Sequence, residues 1–253
     1  MLDTIAFLRP IAHRGLFDPA RGLIENAGGA FEAAIAKGYG IECDLRPAAE
    51  GLPIVFHDET LDRLVEGRGP VAALTPSDLR RLRYKGGGGS RILTLTELLD
   101  LVAGRVPLLV EVKSEWAPTD RAFLGAIARL AAPYKGPLAL MSFDPAVMTV
   151  LKELAPVVPR GIVSSTYKVA DGAPRWPDKI DDERAFRLAH LLESGPVAPD
   201  FYAYHVKALP TPVTRFVREV MGLPLFTWTV RTEDDRRTAA QWADAPIFEG
   251  YDA

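Results

Sequence analysis

Short β-rich runs alternate with longer segments of helical periodicity along the whole chain. Eight of these runs have the length and apolar content of strands: Pro10–His13, Gly40–Asp44, Pro107–Val112, Leu138–Phe143, Arg160–Val163, Phe201–Tyr204, Leu225–Val230 and Pro246–Glu249. Between them, segments such as Ala27–Ala36 and Arg121–Ala131 place apolar residues three and four positions apart, which predicts amphipathic helices. Because parallel strands need a crossover connection, this alternation predicts a largely parallel sheet.

Two architectures fit such a sheet. A TIM (β/α)₈ barrel uses about 250 residues as one domain, and this chain has 253 residues. An open doubly wound sheet is the alternative, because spacing along the sequence does not show whether a sheet closes. No linker rich in Pro, Gly or Ser divides the chain into halves. We therefore predict an α/β fold, a TIM (β/α)₈ barrel, in which residues 1–253 form a single domain.

Two connections are longer than a plain strand–helix repeat requires. Asp58–Ile92 follows the second strand and contains a short helical pattern at Pro76–Leu82, so we interpret about residues 58–92 as a small insertion. Ser164–Asp200 is rich in Pro, Asp and Arg, with a predicted helix around Asp182–Glu193. Long loops often carry binding residues, and this second connection could overhang one end of the barrel.

The composition excludes several kinds of partner. Thirty Lys and Arg residues against 33 Asp and Glu give a net charge of −3, so no basic stripe is available for nucleic acid. Apolar runs such as Val106–Val112 are far shorter than the roughly 20 residues of a membrane helix. Cys43 has no partner for an internal disulfide, and Asp3 stands where a signal peptide would carry positive charge. We expect a soluble, cytoplasmic protein with no nucleic-acid partner and no stable membrane insertion.

Three acids and a lysine end two of the predicted strands. Residues i and i+2 of a strand share a face, so Glu42 and Asp44 point one way while Cys43 packs on the other side. Glu111 and Lys113 repeat the arrangement. Three carboxylates in one barrel mouth would repel each other unless a divalent cation lay between them, and oxygen ligands suit Mg²⁺ or Ca²⁺. The alternative is that each carboxylate pairs with Lys113 or an arginine.

Two of the four histidines are expected at the same end of the barrel. His13 closes the first strand beside Arg14, and His57 follows an apolar run. A histidine pKa of about 6.5 suits proton transfer near neutral pH. One histidine as base and one as acid, with a cation and with Arg14 and Lys113 to hold an anion, would suit cleavage of a phosphodiester. The remaining two histidines are interpreted as structural: His190 and His205.

The order of these motifs resembles that of the glycerophosphodiester phosphodiesterases. The matching stretches are Ile11–Gly15, Glu25-Asn26, Ala33–Gly38, Glu42–Leu45, Gly51–Asp58, Leu61–Arg63, Leu93–Leu95, Val110–Lys113, Ser142–Asp144 and Thr227–Val230. The resemblance implies a TIM barrel with a small insertion after the second strand. It also implies metal-dependent hydrolysis of glycerophosphodiesters, such as glycerophosphocholine, to sn-glycerol 3-phosphate and an alcohol.

The same resemblance implies three groups of site residues. The acid–base pair would be two histidines: His13 and His57. The ligands of one divalent cation, Mg²⁺ or Ca²⁺, would be three carboxylates: Glu42, Asp44 and Glu111. The substrate contacts would be two basic residues and an aromatic one on the glycerol side: Arg14, Lys113 and Trp228. Glu25 would organise the site rather than react.

The sequence departs from the family pattern at its last strand. Phe248–Tyr251 replaces the usual Thr-Asp or Thr-Asn ending, which leaves the last rim of the pocket unassigned. No residues remain for an eighth helix, so we expect Met1–Leu8, or a second subunit of a homo-oligomer, to cover that flank.

Two other functions remain open. A phospholipase D-like enzyme with the same site would cleave lysophospholipids or sphingomyelin and would need an apolar groove. The insertion instead contains Arg80, Arg81 and Arg83, which favours soluble diesters. A non-catalytic barrel that binds phosphate compounds is the third possibility, although simple phosphate binding needs no acid–base pair.

Overall fold

The computed structural model describes residues 1–169 and 172–253. Within these ranges the strands are β1 (Ile11–Ala12), β2 (Gly40–Pro47), β3 (Pro53–Val55), β4 (Leu93–Thr94), β5 (Leu108–Val112), β6 (Leu138–Ser142), β7 (Arg160–Ser164), β8 (Phe201–His205), β9 (Leu225–Val230) and β10 (Ala245–Phe248). All but β3 and β4 pair in parallel, and β1 pairs with both β2 and β10. The sheet therefore closes, which confirms the TIM barrel and excludes the open sheet.

Helices connect most of the barrel strands. They are α1 (Thr4–Phe7), α2 (Gly28–Ala36), α3 (Pro76–Arg81), α4 (Leu95–Val102), α5 (Arg121–Ala131), α6 (Pro145–Leu154), α7 (Asp182–Ala189), α8 (Pro212–Glu219) and α9 (Glu233–Trp242). Reciprocal capping boxes start α4 at Thr94 and α9 at Thr232, where side-chain acceptors satisfy free backbone amides. The helix predicted around Asp182–Glu193 ends four residues early, since Leu191 has a positive φ of 59°.

Strand alternation divides the apolar side chains into two layers. Ile41, Cys43 and Val110 face outward and pack in the core between the strands and the helices. Leu109 and Phe226 belong to a second core, inside the barrel. The predicted outward packing of Cys43 is confirmed, and the residues between these outward positions necessarily point inward.

The N-terminal residues close the bottom of the barrel rather than the flank beside the last strand. Leu2 and Phe7 are buried in the interior core, and the Met1 amino group lies 3.4 Å from the Asp200 carboxylate, just before β8. The expectation that Met1–Leu8 covers the last flank is therefore wrong, because both apolar side chains enter the open lower end. Beside β10, the Tyr39 ring instead packs edge-on against Phe248, with ring centroids 5.0 Å apart.

The insertion after the second strand is confirmed, and it changes how His57 reaches the mouth. β2 continues past the barrel and pairs antiparallel with β3, which pairs antiparallel with β4. The Phe56 amide donates to the Asp44 carbonyl at 3.0 Å. His57 thus follows a strand that is not part of the barrel, yet it lies at the same end of the barrel as His13, as expected. Strand β3 runs back along β2 and so brings His57 to the C-terminal face of the barrel.

Residues 164–200, hereafter the overhanging segment, lie over the same end of the barrel in their described part. Tyr167, Ile180 and Leu188 are buried and continue the interior core upward. Arg175 and Trp176 line cavities at the mouth. The segment therefore contributes side chains to the site, as its length suggested.

Candidate active site

A cavity of about 250 Å³ opens at the C-terminal ends of the barrel strands. Seven of the eight predicted site residues line it: His13, Arg14, Glu42, His57, Glu111, Lys113 and Trp228. The eighth, Asp44, is buried and is bonded to Lys113 and Arg14, two of the lining residues. The structure thus brings together residues that are separated by more than 200 positions in the sequence.

The carboxylate cluster consists of Glu42, Asp44 and Glu111. Each side chain is buried and offers an oxygen within 4.8 Å of an oxygen from each of the others. Burial, followed by the charges of Asp44 and Glu111, raises the pKa of Glu42 well above its ordinary value. From the described residues, Glu42 Oε1 receives no hydrogen bond although it is buried. An unsatisfied carboxylate oxygen among other acids is the environment that a bound cation would stabilise.

Lys113 and Arg14 already pair with this cluster. Lys113 Nζ lies 2.5 Å from Glu111 Oε1 and 2.7 Å from Asp44 Oδ1. Arg14 Nε lies 3.3 Å from Asp44 Oδ2. Burial opposes ionisation of Asp44, but these two cations outweigh it and lower its pKa well below the ordinary value. Both interpretations of the acids therefore hold in part: Asp44 and Glu111 are paired with basic side chains, whereas Glu42 has no lysine or arginine ion pair among the described residues.

A tight turn after β1 presents His13 and Arg14. Arg14 has a left-handed φ of 57°, and its backbone amide donates to Glu42 Oε2 at 3.0 Å. Gly15 follows with a φ of 79°, and a Cβ there would lie 2.9 Å from the Ala30 backbone. Glycine is therefore required at this turn for both its conformation and its contact with α2.

His13 is held by a carboxylate from the opposite end of the chain. Its Nδ1 lies 2.7 Å from Glu249 Oε2, and Arg231 holds that carboxylate with contacts of 2.7 and 3.1 Å. Burial tends to raise the pKa of Glu249, but bonds from His13 and Arg231 lower it to about 2. An ionised carboxylate only accepts, so Nδ1 donates and Nε2, 3.9 Å from Glu42 Oε2, carries the free lone pair.

His57 is oriented in the same way by its own neighbour. Its Nδ1 lies 2.7 Å from Asp58 Oδ1, whose carboxylate accepts from Arg63 at 2.7 and 3.0 Å. Arg63 also donates to both oxygens of Glu25 at 2.8 Å, and Glu25 accepts from Arg14 at 2.7 Å. Glu25 thus links Arg14 to the Arg63–Asp58 support of His57, without touching a reacting group.

Burial is the largest influence on both histidines and lowers the pKa of each below 6.5. Glu249 partly offsets this effect at His13, and Asp44 partly offsets it at His57. Burial thus favours the neutral imidazole at both positions and the nearby carboxylates favour the protonated one; in the neutral form the donor is Nδ1 and the acceptor is Nε2.

Sequence reasoning assigned no role to several residues that the structure places at the site. Asn26 is buried, and its Nδ2 donates to Asp44 Oδ2 at 2.8 Å while its Oδ1 accepts from the Asp44 amide at 3.2 Å. The sequence signal that could have identified Asn26 as a site residue is its position in the family-matching stretch Glu25-Asn26. His205, interpreted as structural, lines the cavity, and its ring centroid lies 4.9 Å from that of Trp228. Arg175 lines the cavity too, and no local motif marks it.

Comparison with known proteins places this site in a family. A model of the glycerophosphoryl diester phosphodiesterase family matches residues 13–249. A curated glycerophosphodiester phosphodiesterase of Caldanaerobacter subterraneus subsp. tengcongensis is 28% identical over 250 residues, covering 94% of this chain and 93% of the relative.

Solved structures share the fold. A phosphodiesterase of Oleispira antarctica, in complex with the product sn-glycerol-3-phosphate, has a TM-score of 0.73 at 22% identity, covering 95% of this chain and 92% of that chain. A glycerophosphodiester phosphodiesterase of Thermotoga maritima has a TM-score of 0.69 at 23% identity, covering 95% and 93%.

The fold and the family match define a phosphodiesterase built on a TIM barrel. The chain belongs to the glycerophosphoryl diester phosphodiesterase family, over nearly its whole length. None of the helices in the described part of the chain combines the length and apolar character needed to cross a bilayer.

Proposed function

We propose that the chain hydrolyses glycerophosphodiesters to sn-glycerol 3-phosphate and an alcohol, with one divalent cation, Mg²⁺ or Ca²⁺. One observation carries the proposal: His13 and His57, each bound through Nδ1 to a carboxylate, line the cavity that also contains Glu42 and Glu111 of the carboxylate cluster. The family match and the product complex of the Oleispira antarctica relative support the substrate class.

The carboxylate cluster would hold the cation. The unsatisfied, buried Glu42 Oε1 and the convergence of three carboxylates fit a hard cation, and the all-oxygen donor set suits Mg²⁺ or Ca²⁺ better than zinc. When bound there, a divalent cation polarises a phosphate oxygen and lowers the pKa of a nearby hydroxyl.

The two histidines would move the protons. Nε2 of one histidine, in its neutral form, accepts the proton of the glycerol hydroxyl as that oxygen attacks phosphorus. The other histidine, in its protonated form, gives its Nε2 proton to the alcohol oxygen as the bond from phosphorus to that oxygen breaks. The product of this step is a cyclic phosphate, which water opens with the two roles reversed. Each proton transfer contributes about 10²–10⁴-fold to the rate. Glu249 and Asp58 keep the imidazoles oriented and in one tautomer.

Arg14, Lys113 and Trp228 would bind the substrate. Lys113 shares Asp44 and Glu111 with the proposed cation site, so cation binding would reduce its attraction to those acids and leave its charge available to phosphate. Arg14 remains tied to Glu25 at 2.7 Å and presents a fixed guanidinium. Trp228 would form the apolar wall beside the glycerol carbons, since its ring lines the cavity.

The direct test is release of sn-glycerol 3-phosphate from the purified protein. The protein is stripped with a chelator, and Mg²⁺ or Ca²⁺ is returned with glycerophosphoglycerol or glycerophosphocholine as substrate. We expect no activity after chelation, recovery with one of the two cations, and no recovery in Glu42→Gln. Full activity after chelation, or in His13→Ala, would contradict the proposal. A lysolipid assayed in parallel separates the phospholipase D-like alternative.

A further inference from the structure

A second, smaller cavity adjoins the proposed active site. It measures about 150 Å³ and shares His57, Glu111, Lys113 and Arg175 with the main cavity. We call it the side pocket. Its other walls come from the ends of barrel strands and the loops after them, from Glu59 of the insertion, and from Trp176 and Lys179 of the overhanging segment. A pocket that opens beside a proton-transferring histidine is placed to take one of the two groups attached to the phosphorus.

Two of the basic residues of the side pocket are already neutralised. Lys179 Nζ lies 2.9 Å from Glu59 and 2.6 Å from Glu115. Arg46 lies 2.6 Å from the same Glu115. These two cations and two acids tie the insertion to the overhanging segment and leave no net charge between them.

Arg175 is different, since no carboxylate in the described ranges 1–169 and 172–253 lies within ion-pair distance of it. Its guanidinium carbon instead stands over three aromatic rings, at 5.6 Å from Phe143, 5.1 Å from Trp176 and 5.5 Å from Trp228. Ring faces attract a cation without cancelling its charge. Within the described part of the chain, Arg175 therefore gives the junction of the two cavities a positive charge that has no ion-pair partner and is held at an aromatic wall.

We propose that the side pocket is the subsite for the leaving alcohol and that Arg175 determines which alcohols it accepts. This inference rests on the proposed function. Neutral alcohols with several hydroxyl groups, or anionic alcohols, gain hydrogen bonds from the five guanidinium donors. A quaternary ammonium alcohol such as choline meets a like charge and finds the three ring faces already covered.

The test compares alcohol groups at constant glycerol and phosphate. Values of kcat/KM are measured for glycerophosphoglycerol, glycerophosphoinositol and glycerophosphocholine with the metal-loaded enzyme. We expect the wild type to favour the two polyhydroxy substrates over the choline substrate. Arg175→Gln should shift that ratio toward choline by about tenfold or more, because it removes a like charge near the leaving group. Arg175→Lys keeps the charge and should keep the preference.

One control variant and two contradicting outcomes complete the test. Arg215→Gln removes an exposed guanidinium paired with Glu219 on α8, away from the site, and should leave every ratio unchanged. A wild type that favours choline, or an Arg175→Gln ratio equal to that of the wild type, overturns the inference while hydrolysis itself stands. Absence of hydrolysis of all three substrates by the loaded wild type overturns the proposed function instead.

Discussion

Glu249, which follows the last strand, accepts a 2.7 Å hydrogen bond from Nδ1 of His13, which follows the first strand. The Glu249 carboxylate has a pKa of about 2, so it is ionised at every working pH. It counteracts part of the effect by which burial lowers the pKa of His13. Glu249 therefore sets both the tautomer and the proton affinity of this imidazole.

Glu249→Gln should lower the pKa of His13 further. The substitution removes a charge that favours the imidazolium, while burial remains. The expected result is a lower midpoint in an NMR titration of the His13 ring, and a kcat/KM profile whose acid limb moves to lower pH if His13 is the base. We also expect kcat to fall by about tenfold or more, since the amide no longer fixes one tautomer. An unchanged His13 midpoint would show that Glu249 does not act on it.

Replacing either cavity histidine should abolish most of the activity. His13→Asn and His57→Asn keep a polar side chain of similar size but cannot transfer a proton, so we expect kcat to drop by about 10²-fold or more for each. The matched control is His190→Asn: that ring contacts the Phe186 carbonyl at 2.8 Å on α7 and does not line the cavity. The measurement is sn-glycerol 3-phosphate release, with circular dichroism to show that each variant is folded. Equal activity in His190→Asn and His13→Asn would contradict the proposed role of His13 in proton transfer.

Mg²⁺ or Ca²⁺ should raise the unfolding temperature of the wild type, and Glu42→Gln should lose this shift. A ligand at 100 times its Kd adds about 2.7 kcal/mol of stability, which corresponds to a shift of several degrees for a chain of this size. Thermal unfolding with EDTA and then with each cation provides the comparison, independently of any enzyme assay. A variant that keeps the full shift would place the cation elsewhere.

The stability of the metal-free protein should depend on pH through the ionisation of Glu42. The pKa of Glu42 is raised above 4.5 in the folded state by burial and then by Asp44 and Glu111. Its contribution to stability is therefore fully present below the unfolded pKa and is lost as the pH rises through the folded pKa. With EDTA present, the free energy of unfolding of the wild type relative to Glu42→Gln should fall as the pH is raised from about 4.5 to about 8. Urea titrations at several pH values measure this difference, and a constant difference would refute the shift.

Gly161→Ala should destabilise the barrel interior. Gly161 pairs directly with Phe201 in the neighbouring strand, and a Cβ at position 161 would overlap the fully buried Phe201 ring. Overpacking of this kind costs about 1–3 kcal/mol. Gly195→Ala is the control, since a Cβ there meets nothing within 4 Å. Urea unfolding of both variants decides the matter: equal midpoints would mean that the Phe201 ring moves aside freely.

The barrel strands and the inward charges were predictable because they depend on local periodicity. Glu42 and Asp44 share a face in any strand. The order of the family motifs then indicated that this face meets His13, His57 and Glu111 in one site. The position of the first residues was mispredicted because periodicity carries no information about it. Leu2 and Phe7 are apolar and therefore expected to be buried, but their spacing does not show against which part of the barrel they pack.

Residues in irregular connections could not be placed from the sequence. Arg175 lies in a segment without strand or helical repeat, and its position depends on Tyr167 and Ile180 packing into the interior core. Glu249 was passed over because its residue type departs from the family pattern, although the predicted last strand, Pro246–Glu249, ended at this residue. Both positions depend on tertiary contacts, which a local pattern does not encode.

The pairing of His13 with Glu249 spans 236 positions of the chain. During synthesis, the first strand, with its histidine, leaves the ribosome long before the carboxylate that orients the histidine has been added. The centre described here therefore cannot form until residue 249 has emerged from the ribosomal exit tunnel. A nascent chain held at any length from 111 to 248 residues would carry the acids and both histidines, yet it would lack the contact that fixes the first imidazole.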